Sequence, residues 1–184
     1  LVQECKRQWQ REGQDLSYSE ITEMASAAKP FFGRVDCDCP DFLAPGDMPA
    51  RINKHLKDTG QTPTDDKGQM VRLILESLAM KYRTTLAAIE DITGQSDDVL
   101  HVVGGGIQNE LLCQFAACAI DMKVVAGPIE ATASGNVLMQ AVATGQIKDI
   151  DEARAVVRQS FDLKTYEPQD AELWAQQYER FTKA

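Results

Sequence analysis

Two short β-branched runs in the second half of the chain limit its fold more than any other feature. They are VLHVV at residues 99–103 and KVVAG at 123–127, and the segment between them has a helical period. Neither run alternates apolar with polar residues, which is typical of strands buried on both faces of a parallel sheet. The pattern predicts a strand–helix–strand unit with a right-handed crossover, and therefore an α/β fold. Ligands of such units bind at the carboxyl ends of the strands.

Helical periodicity covers most of the remaining chain, so the fold is predicted to be rich in helices. Helices are expected from residue 1 to Gly13, from a capping box at Ser17 to Pro30, from Pro49 to Asp58, from a cap at Thr64 to Gly94, from Asp151 onwards and after Pro168. Residues 31–49 are predicted to form a short strand and an irregular surface segment. The helix at 64–94 is expected to be central and mostly buried, with Ser77 and Ala79 as packing contacts.

The composition indicates a globular protein and excludes two classes of partner. Of the 184 residues, 43% are hydrophobic and 26% charged, and 28 acidic against 19 basic side chains give a formal net charge of −9. This charge repels nucleic acid unless a basic patch reverses it locally, and no run of Lys and Arg does so. No stretch approaches the ~20 apolar residues of a membrane helix, and no signal-peptide pattern is present. We expect neither nucleic acid nor a membrane as a partner.

The cysteines favour a reducing, cytoplasmic environment. Their number is odd and their spacing irregular, unlike the even framework of a secreted disulfide scaffold: Cys5, Cys37, Cys39, Cys113 and Cys118. The Cys37-Asp-Cys39 pair has no nearby histidine and no second pair. We therefore interpret it as a turn before Pro40 rather than as a metal site.

Three consecutive glycines, Gly104, Gly105 and Gly106, follow the first predicted strand. Because they lack Cβ atoms, a flat or bulky ligand can lie against their backbone, and the next helix offers free N–H groups with a partial positive charge. Asn109 is a suitable N-cap for that helix, with Glu110 in its acidic first turn. A nucleotide fits such a site. The triple matches neither GxGxxG nor the GxxxxGK[ST] phosphate loop, however, so a purely structural turn stays an equal alternative.

A second segment of small residues follows the second strand. Residues 127–136, GPIEATASGN, enter a helix through small side chains at 131–135. Small residues at the start of a helix permit close approach to a neighbouring helix or to a ligand, and the sequence leaves both open. We interpret Glu130 as a capping or solvated group.

The titratable residues near the strands are not predicted to be catalytic. Asp97 and Asp98 precede the first strand and Asp121 ends a helix, so all three are interpreted as solvated or capping groups. A single strand histidine such as His101 is usually a hydrogen-bonded packing residue, and we expect that role here.

The two small-residue segments resemble a known family. HVVGGGIQNELL (101–112) followed by AGPIEATASGN (126–136) is similar to the C-terminal lobe of the FGGY carbohydrate kinases, and within them to the rhamnulokinase pattern GGG-x-Q-N and AGP-x-E-A-[ST]-x-x-G-N. The related xylulokinases and glycerol kinases tend to have different residues at these positions. The resemblance extends more weakly along the whole chain. The opening LVQE resembles the segment that follows a Gly-Leu-Trp stretch in the family.

The resemblance implies an actin-like, ribonuclease H-like ATPase lobe, rich in helices and incomplete at its N-terminus. Residues 1–184 would form the C-terminal, nucleotide-binding lobe of a two-lobed enzyme, with the N-terminal sugar-binding lobe absent from this chain. A further sign of a longer protein is that Leu1, Cys5 and Trp9 already form one face of a helix at the start of the chain.

The resemblance also assigns the nucleotide contacts. The adenosine of ATP would lie against the turn of Gly104, Gly105 and Gly106, with Asn109 near the base and Gln3 as a further contact. The implied reaction is transfer of the γ-phosphoryl group to the 1-hydroxyl of L-rhamnulose, a ketose sugar, with Mg²⁺ neutralising the phosphates.

The family's aspartate base and phosphate-binding hairpin would lie upstream of residue 1. We therefore expect no catalytic residue in this chain and no activity of the chain alone. Two alternatives remain open: another FGGY sugar kinase, such as a xylulokinase-like enzyme, and a non-catalytic actin-like module that binds nucleotide.

The last predicted helix carries an apolar and aromatic stripe, formed by Leu173, Trp174, Tyr178 and Phe181. Such a stripe either docks onto the lobe or forms the contact of a homo-oligomer. The sequence does not decide between the two.

Overall fold

A computed structural model describes residues 1–183, which form eight α-helices and a three-stranded sheet. The helices are α1 (Val2–Arg11), α2 (Tyr18–Ala27), α3 (Met48–Asp58), α4 (Lys67–Thr93), α5 (Glu110–Ile120), α6 (Ala131–Ala143), α7 (Ile150–Ser160) and α8 (Ala171–Thr182). The strands are β1 (Val99–Val102), β2 (Lys123–Ala126) and β3 (Lys164–Tyr166). The helix-rich α/β architecture predicted from the sequence is confirmed.

The sheet is built on the predicted strand–helix–strand unit. β1 and β2 are parallel, with Val99 opposite Lys123 and Val102 opposite Ala126, and α5 connects them. The third strand was not predicted. β3 pairs antiparallel with β2, which places the strands in the order β1-β2-β3. Because β3 has only three residues, it is too short for a recognisable period.

Helix α4 is the centre of the main core and packs against α2 and α5. Its first half, up to Met80, holds all of its buried residues, whereas Ile89 and Ile92 near its end are 47% and 83% exposed. The expectation of a mostly buried helix is therefore correct only for the first half. A smaller core between α5 and the sheet contains Val124 and Tyr166.

The ends of α4 follow local capping chemistry. Asp66, and not the predicted Thr64, is the N-cap: its carboxylate accepts from the Gln69 N–H at 2.7 Å. The Thr64 hydroxyl instead accepts from the N–H of the N-cap residue Asp66 at 3.1 Å, before the helix begins. Gly94 ends the helix in the left-handed conformation, with φ 66°, as predicted.

The strand predicted within residues 31–49 is wrong. The backbone N–H groups of this segment bond to side chains: Phe31 donates to a Glu76 oxygen at 2.8 Å and Val35 to the Ser77 hydroxyl at 3.0 Å. With these donors already satisfied by α4, the segment pairs with no strand of residues 1–183, and residues 31–35 run as an irregular strap across the helix. Ser77 therefore has a structural role, as expected.

The turn interpreted at the cysteine pair is confirmed. The Cys39 N–H donates to the Asp36 carbonyl at 3.0 Å and closes a turn directly before Pro40. All five cysteines are free thiols. Among residues 1–183, none of the helices has the length and apolar character that crossing a bilayer requires.

The aromatic stripe of α8 docks onto the lobe. The Trp174 side chain is 5% exposed, and its ring centroid lies 4.9 Å from that of Phe31 and 5.4 Å from that of Phe115. The Tyr178 hydroxyl bonds to the Thr84 hydroxyl at 3.2 Å. Leu173 is 41% exposed and does not belong to this contact. The docking alternative is therefore correct for Trp174 and Tyr178, and a homo-oligomer stays a prediction.

Candidate functional site

The two small-residue segments singled out in the sequence meet at the carboxyl ends of the parallel strands. The Gly127 N–H donates to the Val102 carbonyl at 2.9 Å, and the Gly104 N–H donates to the Pro128 carbonyl at 3.3 Å. These two bonds hold the segments side by side as one surface. It lies at the edge of the sheet where α/β folds bind their ligands.

The glycine turn, residues 104–106, is open above its backbone. Gly104 has φ 84° and ψ −173°, a conformation that favours glycine, and residues 105–108 form a short 3-10 helix before α5. A Cβ atom added at any of the three glycines would meet no atom of residues 1–183 within 4 Å, apart from its own chain neighbours. Close packing within the protein therefore does not explain the triple. Gly104 is needed by its backbone conformation, whereas Gly105 and Gly106 leave a free surface.

Unpaired backbone donors line this surface. Within the described part of the chain, the N–H groups of Gly105 and Gly106 donate no hydrogen bond. The same is true of the first turn of α6, at residues 131–133, and Glu130 provides no side-chain cap there. Free N–H groups at the start of a helix bind anionic groups well. The surface is therefore suited to a ligand that combines a bulky body with negative charge.

Asn109 caps α5 and keeps one group free. Its side-chain oxygen accepts from the Leu112 N–H at 3.0 Å, which confirms the predicted N-cap. Its Nδ2 group, on a half-buried side chain, donates to no partner in residues 1–183. Glu110 forms an ion pair with Lys164 at 2.6 Å, which links the start of α5 to β3. Asn109 can thus support the helix and still donate to a ligand on the glycine turn.

In the described part of the chain, the small residues at the start of α6 are not buried against a neighbouring helix. None of the residues of α6 is buried, and a Cβ at Gly135 would meet nothing within 4 Å. Val137 and Met139 are 66% and 52% exposed. Of the two alternatives left open by the sequence, helix packing is not supported among the described residues.

Gln3 is exposed on α1. Its neighbours Leu1 and Val2 pack against the same core as Leu111 and Leu112 of α5, the helix that follows the glycine turn. In the region that the structure describes, no hydrogen bond joins Gln3 to the glycine turn. Its contact with the nucleotide stays a prediction.

Two further side chains that the sequence analysis interpreted differ in outcome. Asp121 ends α5 with φ 52°, in agreement with its interpretation as a capping residue. His101 is exposed on β1, and no hydrogen bond of its side chain occurs among the described residues. The expected role as a hydrogen-bonded packing residue is wrong, because the described residues do not cover the part of β1 that carries this side chain.

The chain is similar to known proteins along most of its length. Residues 1–144 match the model of the FGGY family of carbohydrate kinases, C-terminal domain. A rhamnulokinase from Bacteroides thetaiotaomicron is 40% identical over 181 residues, which cover 98% of this chain and 36% of that protein. A rhamnulokinase from Bacillus subtilis is 37% identical over 170 residues, covering 92% of this chain and 34% of that protein.

The fold is shared with a solved sugar kinase. The structure of xylulose kinase from Rhodospirillum rubrum superimposes with a TM-score of 0.68 at 18% identity, covering 99% of this chain and 36% of that one. This likeness confirms the expected actin-like, ribonuclease H-like architecture. The chain spans about a third of the length of the curated relatives it matches. Taken with the family match over most of its residues, these similarities show that the chain belongs to the FGGY family of carbohydrate kinases, whose C-terminal domain it contains.

Proposed function

We propose that this chain is the nucleotide-binding lobe of an ATP-dependent sugar kinase, a rhamnulokinase that phosphorylates L-rhamnulose at its 1-hydroxyl. The observation that carries the proposal is the surface on which the glycine turn and the start of α6 are hydrogen-bonded together, open above the backbone and lined by free N–H groups. The identity of 40% to a rhamnulokinase across 98% of the chain supports the choice of sugar.

The site would bind ATP through its backbone more than through charged side chains. The adenosine would lie flat on Gly104, Gly105 and Gly106, where no Cβ atom intervenes, and the Asn109 Nδ2 group would donate to the base. The free N–H groups at the start of α6 would bind an anionic part of the same ligand. Gln3 would add a contact from α1. This division separates recognition of the nucleotide from the phosphoryl transfer itself.

Mg²⁺ would be held mainly by the nucleotide. This ion is usually bound through substrate phosphates and one or two carboxylates rather than by a protein cage. Residues 1–183 contain no group of three or more side chains arranged to hold a metal ion. An ion that arrives with ATP and neutralises the charge of the phosphates would need no such group.

The sugar site and the catalytic base would lie outside these residues. The relatives are about three times as long, so we propose that residues 1–184 form the C-terminal lobe and that another lobe contributes the ketose site and the aspartate. Phosphoryl transfer depends on positioning both substrates against each other, which one lobe alone does not achieve.

The first prediction separates nucleotide binding from turnover. The 184-residue chain, checked for folding by circular dichroism, is expected to bind ADP in calorimetry but not to phosphorylate L-rhamnulose. The full-length protein that carries the chain is expected to do both. Turnover by the chain alone would place the base within it. Full-length activity on a different ketose only would assign another sugar kinase, and binding of ADP without activity on any ketose would favour a non-catalytic module.

The second prediction separates the two roles of Asn109. Asn109→Asp retains a side-chain oxygen for the cap but loses the amide donor, whereas Asn109→Ala loses both. We expect the alanine variant to be about 1 kcal/mol less stable, and the aspartate variant to be close to the wild type. Both variants should bind ADP more weakly. If Asn109→Asp keeps full ADP affinity while Asn109→Ala is destabilised, Asn109 is only a cap. Chemical denaturation and calorimetry provide the two measurements.

A further inference from the structure

A second concave site lies among the helices, away from the glycine turn. It is a cavity of about 320 Å³ between residues 31–34 of the strap, the loop at 60–62, α4 and α8. None of its lining residues belongs to β1, α5, β2 or α6. Its volume is in the range of pockets that hold small molecules, roughly 300–1,000 Å³.

Two arginines line this cavity, and neither side chain has a hydrogen-bond or ion-pair partner among the described residues. The Nε atom of Arg34 is buried and has no hydrogen-bond partner in the described chain. Across residues 1–183, neither Arg34 nor Arg180 takes part in an ion pair. A buried guanidinium donor without an acceptor is costly, and the formal charge of −9 means that carboxylates are plentiful elsewhere in the chain. The unpaired donor therefore points to an acceptor supplied by a ligand.

The carboxylate at the cavity does not fill this role. Glu76 accepts from the Arg72 Nε group at 2.7 Å and from the Phe31 N–H at 2.8 Å, so both of its oxygens are already engaged. Burial raises the pKa of the Glu76 carboxyl, and its charge is already paired with that of Arg72. The other charged residues that line the cavity are Arg34 and Arg180. Among the described residues, the unpaired charges that line the cavity are therefore positive, with Arg34 partly buried and Arg180 exposed.

Apolar walls adjoin these cations. Phe31, Phe32, Met80 and Phe181 line the cavity together with the amides of two glutamines. Phe31 has φ 51°, an unusual conformation for a bulky residue, and the Glu76 hydrogen bond and the Trp174 ring hold it there. Strained residues of this kind persist where their surroundings fix them, and they concentrate at ligand sites. The wall is thus shaped before any ligand binds.

We propose that this cavity binds a small organic oxyanion with an apolar or aromatic body, whose charged group is bound by Arg34 and Arg180. Guanidinium groups match the planar, bidentate geometry of phosphate and carboxylate oxygens. The phenylalanine rings and Met80 would contact the body of the ligand. This site is distinct from the proposed nucleotide site and does not depend on it.

The test uses phenyl phosphate, which combines an aromatic body with a dianion. It is titrated into the 184-residue chain in the presence of saturating ADP, which occupies the glycine turn. We expect binding with a dissociation constant of about 1 mM or tighter, and a loss of at least about tenfold in each of Arg34→Gln and Arg180→Gln. Arg158→Gln is the matched control, since Arg158 is exposed, unpaired in residues 1–183 and not part of the cavity. Phenol, without the anion, should bind far more weakly.

Either of two results would overturn the proposal. One is no binding of phenyl phosphate or benzoate up to about 10 mM, and the other is equal binding by the two cavity variants and the control. Binding of benzoate but not of phenyl phosphate would support the site and assign it to carboxylates. Misfolding does not confuse the outcome, because Arg34→Gln removes a buried unpaired donor and should leave the melting temperature unchanged or higher.

Discussion

Trp174→Ala is expected to lower the free energy of unfolding by about 3–5 kcal/mol, the usual cost of truncating a buried tryptophan. Its side chain is 5% exposed and touches rings from two different parts of the fold, Phe31 in the strap and Phe115 on α5. Removing the indole therefore leaves a cavity where three elements meet. At about 2–4 °C for each kcal/mol in a chain of this size, the melting temperature should fall by about 6–20 °C.

Leu173→Ala is the matched control for this prediction. It shortens the neighbouring side chain on the same helix, but Leu173 is 41% exposed, so its effect should stay near 0.5 kcal/mol. Thermal and chemical unfolding, followed by circular dichroism, measure both variants. If Trp174→Ala melted like the wild type and instead changed the oligomeric state in sedimentation, the aromatic stripe would be an interface between copies and not part of the core.

Elements with a strong local signal could be predicted from the sequence. The Ser17 capping box forms with both of its hydrogen bonds, Gly94 ends α4 in the left-handed conformation and Asn109 caps α5. Each of these depends on residues within four positions of each other. The β-branched runs at β1 and β2 likewise carry their own period, so the parallel pair was predictable.

Elements that depend on distant partners could not be predicted. The strap at residues 31–35 resembles a strand in composition, but its backbone donors bond to Glu76 and Ser77, more than forty positions away. Three-residue β3 exists because β2 offers it an edge. The cavity brings together Arg34 and Arg180, which lie far apart in the sequence. None of these pairings leaves a periodic trace in the sequence.

The candidate site was partly predictable for the same reason. The glycine turn and the start of α6 each have a recognisable local pattern, whereas the two hydrogen bonds that join them follow from the parallel pairing of β1 and β2. The openness of the turn could not be known in advance. A glycine triple required by packing and one required by a ligand have the same sequence, and only the space around the missing Cβ atoms separates them.

Gly105→Val is expected to weaken ATP binding of the full-length protein by about tenfold or more, at least ~1.4 kcal/mol, with little change in the Michaelis constant for the sugar. Gly105 does not have a positive φ, and its added Cβ would meet no atom of residues 1–183 within 4 Å beyond its own chain neighbours. The valine should therefore fold normally and place its methyl groups where the adenosine would lie. Gly105→Ala should give a smaller loss in the same direction.

Gly104 is the control that separates strain from ligand contact. With φ 84°, it holds a conformation that costs a non-glycine residue roughly 1–2 kcal/mol, so Gly104→Val should lower the melting temperature as well as the ATP affinity. Gly105→Val should change only the affinity. Calorimetry with ATP and thermal unfolding of both variants distinguish the two effects.

If a folded Gly105→Val protein kept its ATP affinity, the three glycines would be a structural turn only. The nucleotide would then have to bind elsewhere on the same surface. The next test would then be Gly135→Val in α6, because this position is also open, with nothing within 4 Å of an added Cβ. A loss of ATP affinity there, without a loss of stability beyond the cost of a β-branched residue in a helix, would place the nucleotide against the start of α6. Since hydrogen bonds hold the two segments together, a loss of ATP affinity at either Gly105 or Gly135 places the ligand at the carboxyl ends of β1 and β2.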